Sequence, residues 1–119
     1  MPSYEFSMRA RGAVGAVGDL SLRIGDTEAL TQYGGHIGYG VGAEHRGHRY
    51  AARSVRLVMP LARLHGAKLL WITCNPENEA SRRSCELAGA TFVEIVGLPP
   101  ESEMYARGER RKCRYRLEL

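Results

Sequence analysis

The sequence predicts an α+β domain with a mixed sheet flanked by helices, in the order β-β-β-α-β-α-β-β. Three observations lead to this prediction. Alternating segments near the start predict a hairpin, residues 50–65 have the three- and four-residue apolar spacing of a helix, and "KLLWITCN" is an apolar run typical of a buried strand. With 119 residues the chain suits one domain, residues 1–119, with one modest core.

The first half of the chain predicts three strands. Residues 4–10, "YEFSMRA", alternate aromatic and polar side chains, and a turn at Arg11-Gly12 leads into a second strand over residues 13–24. Residues 25–35 predict a loop. The segment "HIGYGV", residues 36–41, predicts a third strand whose glycines permit a bulge or the close approach of a ligand.

The second half predicts two helices and three strands. The first helix spans residues 50–65 and ends at Gly66, and Pro60 predicts either a kink near Arg56 or an exposed helix that bends there. The second helix lies between the Asn-Pro pair at residues 75–76 and Gly89. Its inner face is expected to hold Ala80, Ser84 and Leu87. The strands are predicted at residues 68–75, 91–98 and 112–119, the last two joined by a polar loop.

Composition and charge limit the possible classes of protein. Cys74, Cys85 and Cys113 are odd in number and widely spaced, which argues against structural zinc and a disulfide framework, and no metal is expected. No apolar run approaches the roughly 18 residues of a membrane span, and the N-terminus lacks the apolar stretch of a signal peptide. We therefore expect a cytoplasmic protein that does not enter a membrane.

The net charge of +4 favours anionic ligands. Most of the charge is spread along the chain, with a dense cluster only at residues 107–116, "RGERRKCRYR". Docking on nucleic acid through this cluster is one alternative, but a solvated hairpin loop is the favoured interpretation, so nucleic acid is not expected as the main partner.

A glycine-rich turn before the first helix, "GYGVGAEHRGHRYAARS", predicts a site for an anion, because backbone N–H groups and arginines meet there. Two common phosphate motifs do not fit it. Gly42 and Gly47 have the spacing of a Walker loop, but His48 and Arg49 stand where Lys and Ser or Thr are needed. The Gly38-x-Gly40 pair lacks the third glycine of a dinucleotide fold.

The remaining pattern resembles the GNAT acyltransferases over nearly the whole chain, and "GGHIGYGV" with "ITCNPENEASRR" is similar to a bacterial subgroup of predicted acetyltransferases. In that family an R/Q-x-x-G-x-G/A run binds the pyrophosphate of acetyl-CoA. The run here is Arg46, Gly47, His48, Arg49, Tyr50 and Ala51. Arg49 replaces the usual first glycine, and we expect helical dihedrals there. The resemblance also implies that the chain begins at the family's second strand.

The resemblance implies further contacts with the cofactor. The strand "HIGYGV" would hydrogen-bond the pantetheine arm through its backbone, with Val41 nearest the pyrophosphate turn and an N–H polarising the thioester. Asn78 and Ser81 match positions that contact the CoA arm, and Asn78 also suits a helix cap. Arg82 and Arg83 would meet the 3′-phosphate or face water.

The resemblance also leads to candidates for proton transfer. His36 is the first candidate for the general base, because its usual pKa of about 6.5 suits proton acceptance near neutrality. Glu44 is the second. Either could instead be structural, His36 as a packed strand histidine and Glu44 as a solvated or capping carboxylate. Cys85 stands where the family often has a tyrosine acid, with Tyr50 or solvent as alternatives and inert packing as the simpler role.

The sequence therefore predicts an acetyl-CoA-dependent N-acetyltransferase that moves the acetyl group directly to a primary amine of a small molecule or a protein. A non-catalytic CoA-binding or regulatory module is the alternative. An exposed sheet edge and an uncovered sheet face further predict a homodimer.

Overall fold

A computed structural model describes residues 2–119. Within them, six strands form one sheet in the order β1-β2-β3-β4-β6-β5. The strands are β1 Ser3–Met8, β2 Gly18–Arg23, β3 Ile37–Val41, β4 Leu69–Cys74, β5 Thr91–Gly97 and β6 Arg111–Glu118. The helices are α1 Tyr50–Leu64, α2 Glu79–Leu87 and the short α3 Glu103–Ala106, with a π-helical turn at Ala29–Gly34 and a 3-10 turn at Ala43–His45. The predicted α+β class and the order of the main elements are confirmed.

The hairpin of β1 and β2 has a longer connection than predicted. A turn forms at residues 11–12, but Met8 pairs with Gly18, so the second strand begins at residue 18 and the predicted start at 13 is wrong. A Cβ atom at Gly18 would lie 2.3 Å from the carbonyl oxygen of Gly40. Only glycine lets β2 and β3 approach this closely where the strand starts.

Helix α1 packs its apolar face on β2 and β3. The four residues whose spacing predicted this face are buried, Ala51, Val55, Val58 and Ala62, and Ala52 and Met59 are buried as well. The helix ends at Leu64, and Gly66 has a φ of +84°, which confirms the predicted stop. Pro60 lies inside α1 and is exposed, and the helix continues through it to Leu64.

Helix α2 turns a different face to the core than the sequence predicted. Cys85 and Ala88 are fully buried, and Cys85 packs with the thiols of Cys74 and Cys113 in the sheet. The expected inner residues line a cleft instead: Ala80, Ser84 and Leu87. Their spacing does mark one helix face, but spacing alone does not tell a face packed on the sheet from a face at a cleft. All three cysteines are buried and free.

The two central strands diverge and open the sheet. β3 and β4 run parallel, and Ile37 with Ile72 is their one paired position within residues 2–119. Beyond it β3 separates from β4, so the two strand ends frame a gap under α2. On the opposite face of the sheet, the π-helical turn packs against β4 and β6. Among the described residues, no helix covers the face formed by β1, β2 and β3 on that side.

Candidate functional site

A cleft of about 430 Å³ lies where β3 and β4 separate. Three elements build it: the end of β3, the turn that leads into α1, and one face of α2. Its lining includes Tyr39, Gly40, Val41, His45, Arg46, Gly47, Arg49, Tyr50, Ala51, Asn78, Ala80, Ser81, Arg83, Ser84 and Leu87. Of the nine residues that the sequence predicted for cofactor binding, only His48 is absent from this lining.

The turn before α1 presents backbone N–H groups to the cleft. Gly47 has a φ of +92°, and Arg49 is the N-cap of α1 with φ 62° and ψ 26°. The expected helical dihedrals at Arg49 are therefore wrong, because its backbone is in the left-handed region. Since α1 begins at Tyr50, the N–H groups of its first turn have no partner within the helix. They and the positive end of the helix dipole favour an anion.

The cleft is positively charged. Arg46, Arg49 and Arg83 line it, and its described lining contains no carboxylate. Arg46 donates from Nε to the Val41 carbonyl oxygen at 3.3 Å, which places its guanidinium beside the turn. Guanidinium groups bind phosphate oxygens in pairs of hydrogen bonds. This side of the molecule suits a ligand with several phosphates.

Helix α2 contributes polar groups through its N-terminus. The Asn78 side chain accepts a hydrogen bond from the Ser81 N–H at 3.1 Å, which confirms the predicted cap while Asn78 also lines the cleft. Arg83 points to the cleft, whereas Arg82 donates to the Tyr115 hydroxyl at 3.0 Å and lies over the Phe92 ring. Of the two arginines, only Arg83 is placed to meet a phosphate.

The sequence profile of the acetyltransferase (GNAT) domain matches residues 1–91, which are most of the strands and helices just described. The chain belongs to the GNAT acetyltransferase family. No curated protein sequence matches it.

Solved structures share the GNAT fold of this chain. MccE, the microcin C7 self-immunity acetyltransferase in complex with acetyl-CoA and AMP, has a TM-score of 0.74 and 19% identity, covering 98% of this chain and 61% of its own. A GNAT-family acetyltransferase from Bacillus anthracis has a TM-score of 0.73 and 16% identity. The match covers 96% of this chain and 65% of the Bacillus anthracis chain. RimJ from Mycobacterium smegmatis, in complex with CoA-disulfide, has a TM-score of 0.72 and 18% identity. The match covers 98% of this chain and 53% of RimJ. The GNAT chain thus spans less than two thirds of each structure.

Val41 faces the gap of the GNAT fold. Its carbonyl oxygen accepts the bond from Arg46, and the N–H and C=O of one strand residue point to the same edge. The Val41 N–H is therefore directed away from β2 and towards the gap between β3 and β4. This is the position that the sequence assigned to a backbone donor.

Tyr39 lines the cleft, and the sequence analysis did not predict it as a candidate. Its side chain crosses the gap from β3 to α2, where its hydroxyl donates to the Ser81 carbonyl oxygen at 3.0 Å and lies 3.4 Å from the Cys85 sulphur. Burial raises the pKa of Tyr39 well above its usual value. The available signal was its position as the one large side chain between two glycines in "GYG".

His36 lies apart from the cleft. Its Nδ1 accepts a hydrogen bond from the Trp71 N–H at 2.8 Å, and its Nε2 lies 2.7 Å from the Gly25 carbonyl oxygen. Nε2 must therefore carry the proton, and neither nitrogen is free to accept another. Burial also lowers the pKa of His36. This geometry favours the structural role of His36 over the catalytic one.

Glu44 and Cys85 are also outside the cleft lining, whereas Tyr50, the alternative acid, lines the cleft. Glu44 is exposed and lies 3.6 Å from the neighbouring His45 ring. Cys85 is fully buried, and its hydrogen bond with Cys74, together with burial, raises the pKa of its thiol. A thiol with a raised pKa releases its proton less readily, which favours the packing role of Cys85.

His48 is exposed and stacks on the Tyr50 ring, with centroids 5.2 Å apart.

The basic cluster at residues 107–116 is partly neutralised by its own contacts. Lys112 pairs with Glu109 at 2.6 Å, and Arg114 pairs with Glu94 at 2.6 Å. Residues 111–116 belong to β6, an interior strand in which Lys112 and Arg114 are buried, so the predicted solvated hairpin loop is wrong for this part of the cluster.

Within residues 2–119, no group of three or more His, Cys, Asp or Glu side chains is arranged to hold a metal ion. No helix in that same stretch has the length and apolar character to cross a membrane.

Proposed function

We propose that the chain is an acetyl-CoA-dependent N-acetyltransferase that transfers the acetyl group directly to a primary amine. The observation that carries this proposal is the cleft at the start of α1, where unpaired N–H groups meet Arg46, Arg49 and Arg83 without any described carboxylate. Such a site suits the pyrophosphate and 3′-phosphate of CoA. The family and the acetyl-CoA bound to MccE support the same cosubstrate.

The pantetheine arm lies along the gap between β3 and β4 in this proposal. The Val41 N–H polarises the thioester carbonyl and stabilises the oxyanion that forms when the amine attacks. Tyr39 stays protonated because its pKa is raised, and rotation of its hydroxyl lets it donate a hydrogen bond to the departing sulphur. Tyr39 thus acts as a hydrogen-bond donor where the family resemblance had assigned Cys85 as an acid, and it keeps its own proton because its pKa is raised.

Calorimetric titration with acetyl-CoA, desulfo-CoA and ATP tests the proposal. We expect micromolar binding of both CoA compounds and much weaker binding of ATP. At a hundred times its Kd, acetyl-CoA should also stabilise the fold by about 2.7 kcal/mol. Failure of both CoA compounds to bind would overturn the proposal.

A non-catalytic CoA-binding module is the second candidate, because His36, Glu44 and Cys85 all lie outside the cleft lining. Release of free CoA in the presence of a panel of primary amines separates the two functions. We expect turnover, and Tyr39→Phe should lower kcat while leaving the acetyl-CoA Kd unchanged. CoA binding without turnover on any amine would favour the second candidate.

A homodimer and a cytoplasmic location complete the proposal. Edge strand β5 exposes Phe92, Val93 and Ile95 by 44%, 42% and 42%, and an exposed apolar edge strand can pair with a second chain. Three free cysteines suit a reducing compartment.

A further inference from the structure

A second cavity, of about 500 Å³, lies on the open face of the sheet opposite α1. The strand registers place its side chains in two rows. Glu5 pairs with Ser21, which pairs with Gly38; Ser7 pairs with Asp19, which pairs with Gly40. Residues of one row share a face of the sheet, so these polar groups stand together over two glycines.

The second cavity adjoins the cleft through β3. Tyr39 and Gly40 line both cavities, so the two lie on either side of one strand at the point where it leaves β4. A thioester placed in the gap by the proposed function would therefore be reached from the second cavity.

The two glycines keep the floor of the second cavity open. A Cβ atom at Gly38 would lie 3.2 Å from the Ser21 hydroxyl oxygen and 3.3 Å from Nη2 of Arg23. At Gly40 it would lie 3.6 Å from the Asp19 carboxylate. Larger side chains in place of Gly38 and Gly40 would therefore occupy part of the second cavity, next to Ser21 and Asp19.

The two acidic side chains and the serine hydroxyl over the glycines have no partner among the described residues. Within residues 2–119 neither Glu5 nor Asp19 forms an ion pair or a side-chain hydrogen bond. Ser21 is only 8% exposed, and in the same stretch its hydroxyl, which lines the cavity, has no hydrogen-bond partner. The hydroxyl oxygen is reached from the open cavity, where water or a ligand can hydrogen-bond to it. Arg23 donates to the carbonyl oxygens of Gly34 and Gly35, so its charge is turned towards the backbone.

We propose that the second cavity binds the acetyl acceptor as a cationic amine, with the reacting ammonium on Asp19 and a second cationic group on Glu5. The proposal rests on the proposed function. Asp19 holds the reacting end because its row contains Gly40, which also lines the cleft. Asp19 and Glu5 are diagonal neighbours on adjacent strands, a relation in which backbone positions are about 7–8 Å apart, and this suits the two ends of a four-carbon diamine.

The acetyl transfer balances in this arrangement. The bound ammonium releases one proton to bulk water at the open face, and the neutral nitrogen attacks the thioester carbonyl carbon. A C–N bond forms, the C–S bond breaks, and the second proton of the nitrogen passes to the sulphur of CoA. The products are an N-alkylacetamide, CoA thiol and one released proton.

Three acceptors of equal chain length test the charge preference: 1,4-diaminobutane, butylamine and 4-aminobutanoate. We expect kcat/KM to be highest for the diamine and lowest for the amino acid. Asp19→Asn should raise the KM for the diamine about tenfold, since a hydrogen bond to a charged group is lost, while the acetyl-CoA Kd stays unchanged. Glu5→Gln should reduce the advantage of the diamine over butylamine. Glu101→Gln, on an exposed loop, is the matched control.

Calorimetric titration of 1,4-diaminobutane into the protein without acetyl-CoA makes the two proposals separable. Diamine binding that is lost in Asp19→Asn supports the cavity even if acetyl-CoA fails to bind and the proposed function falls. A preference for 4-aminobutanoate would show that Arg23 governs the cavity and would overturn the inference. Unchanged KM values in both Asp19→Asn and Glu5→Gln would overturn it as well.

Discussion

Arg49 holds a left-handed backbone at the point where the cleft meets α1. A side chain in this conformation costs about 1 kcal/mol relative to glycine, which is the residue that the family motif has there. The arginine also brings positive charge to a site that we propose binds phosphates. Strain at this position is therefore best explained as a cost of function.

Arg49→Gly is expected to raise the free energy of unfolding by about 1 kcal/mol and to weaken acetyl-CoA binding. Urea unfolding and calorimetric titration measure the two effects. Arg53→Gly is the matched control, because Arg53 is exposed inside α1 and glycine there should destabilise by about 1 kcal/mol. A lower free energy of unfolding in Arg49→Gly than in wild type would contradict the inference that the Arg49 backbone is strained.

His36 predicts a dependence of stability on pH. Burial lowers its pKa in the folded protein, so the unfolded chain binds more protons near neutrality. The contribution of His36 to the free energy of unfolding is complete above about pH 6.5, the usual pKa, and is lost as the pH falls through the lower folded pKa.

Urea unfolding of wild type and His36→Asn between pH 8 and 5 tests this dependence. The variant should be less stable at pH 8, where two hydrogen bonds are altered, and its stability should fall less steeply below about pH 6.5. His48→Asn, at an exposed histidine, should keep the wild-type slope. Equal slopes in wild type and His36→Asn would contradict a buried neutral histidine.

Asn78 links the start of α2 to the cleft, because one side chain both caps the helix and lines the site. Asn78→Ala removes the cap and should lower the free energy of unfolding by about 1 kcal/mol. Asn78→Asp keeps a capping oxygen and should preserve stability, yet it adds a negative charge beside the proposed phosphates. Urea unfolding and acetyl-CoA titration of both variants measure the two roles separately. Equal losses of stability in the two would contradict the cap.

The second helix also shows the limit of sequence spacing. The apolar and small residues of α2 do define faces, but the sequence assigned the wrong one to the core. Which face meets the sheet depends on the crossing of α2 over β4 and β6, where Cys85 finds the space beside two other thiols. Spacing within one helix contains no information about that crossing.

At the scale of the whole molecule, charge is divided between two sides of the sheet. The net charge of +4 includes three guanidinium groups in the cleft, while Glu5 and Asp19 stand in the second cavity. An anionic donor and a cationic acceptor would therefore approach β3 from opposite sides. The linear sequence shows the total charge but does not show this division.

The dimer is tested by light scattering of the purified protein. We expect about twice the chain mass of 13.2 kDa for wild type and the monomer mass for Val93→Lys, which places a charge on edge strand β5. Val14→Lys, at a loop side chain that is 99% exposed, should remain dimeric. If the wild-type protein is monomeric at micromolar concentration, the proposal of a homodimer is wrong.

The sequence by itself determined the family, the order of strands and helices, the cap at Asn78 and the turn before α1. Each depends on neighbours in the chain, where spacing and turn chemistry act directly. Only the tertiary structure decided that Tyr39 crosses the gap, that Arg83 rather than Arg82 faces the cleft, and that His36 is satisfied by Trp71 and Gly25. These contacts join residues far apart in the chain, and strand register and packing determine which of them meet.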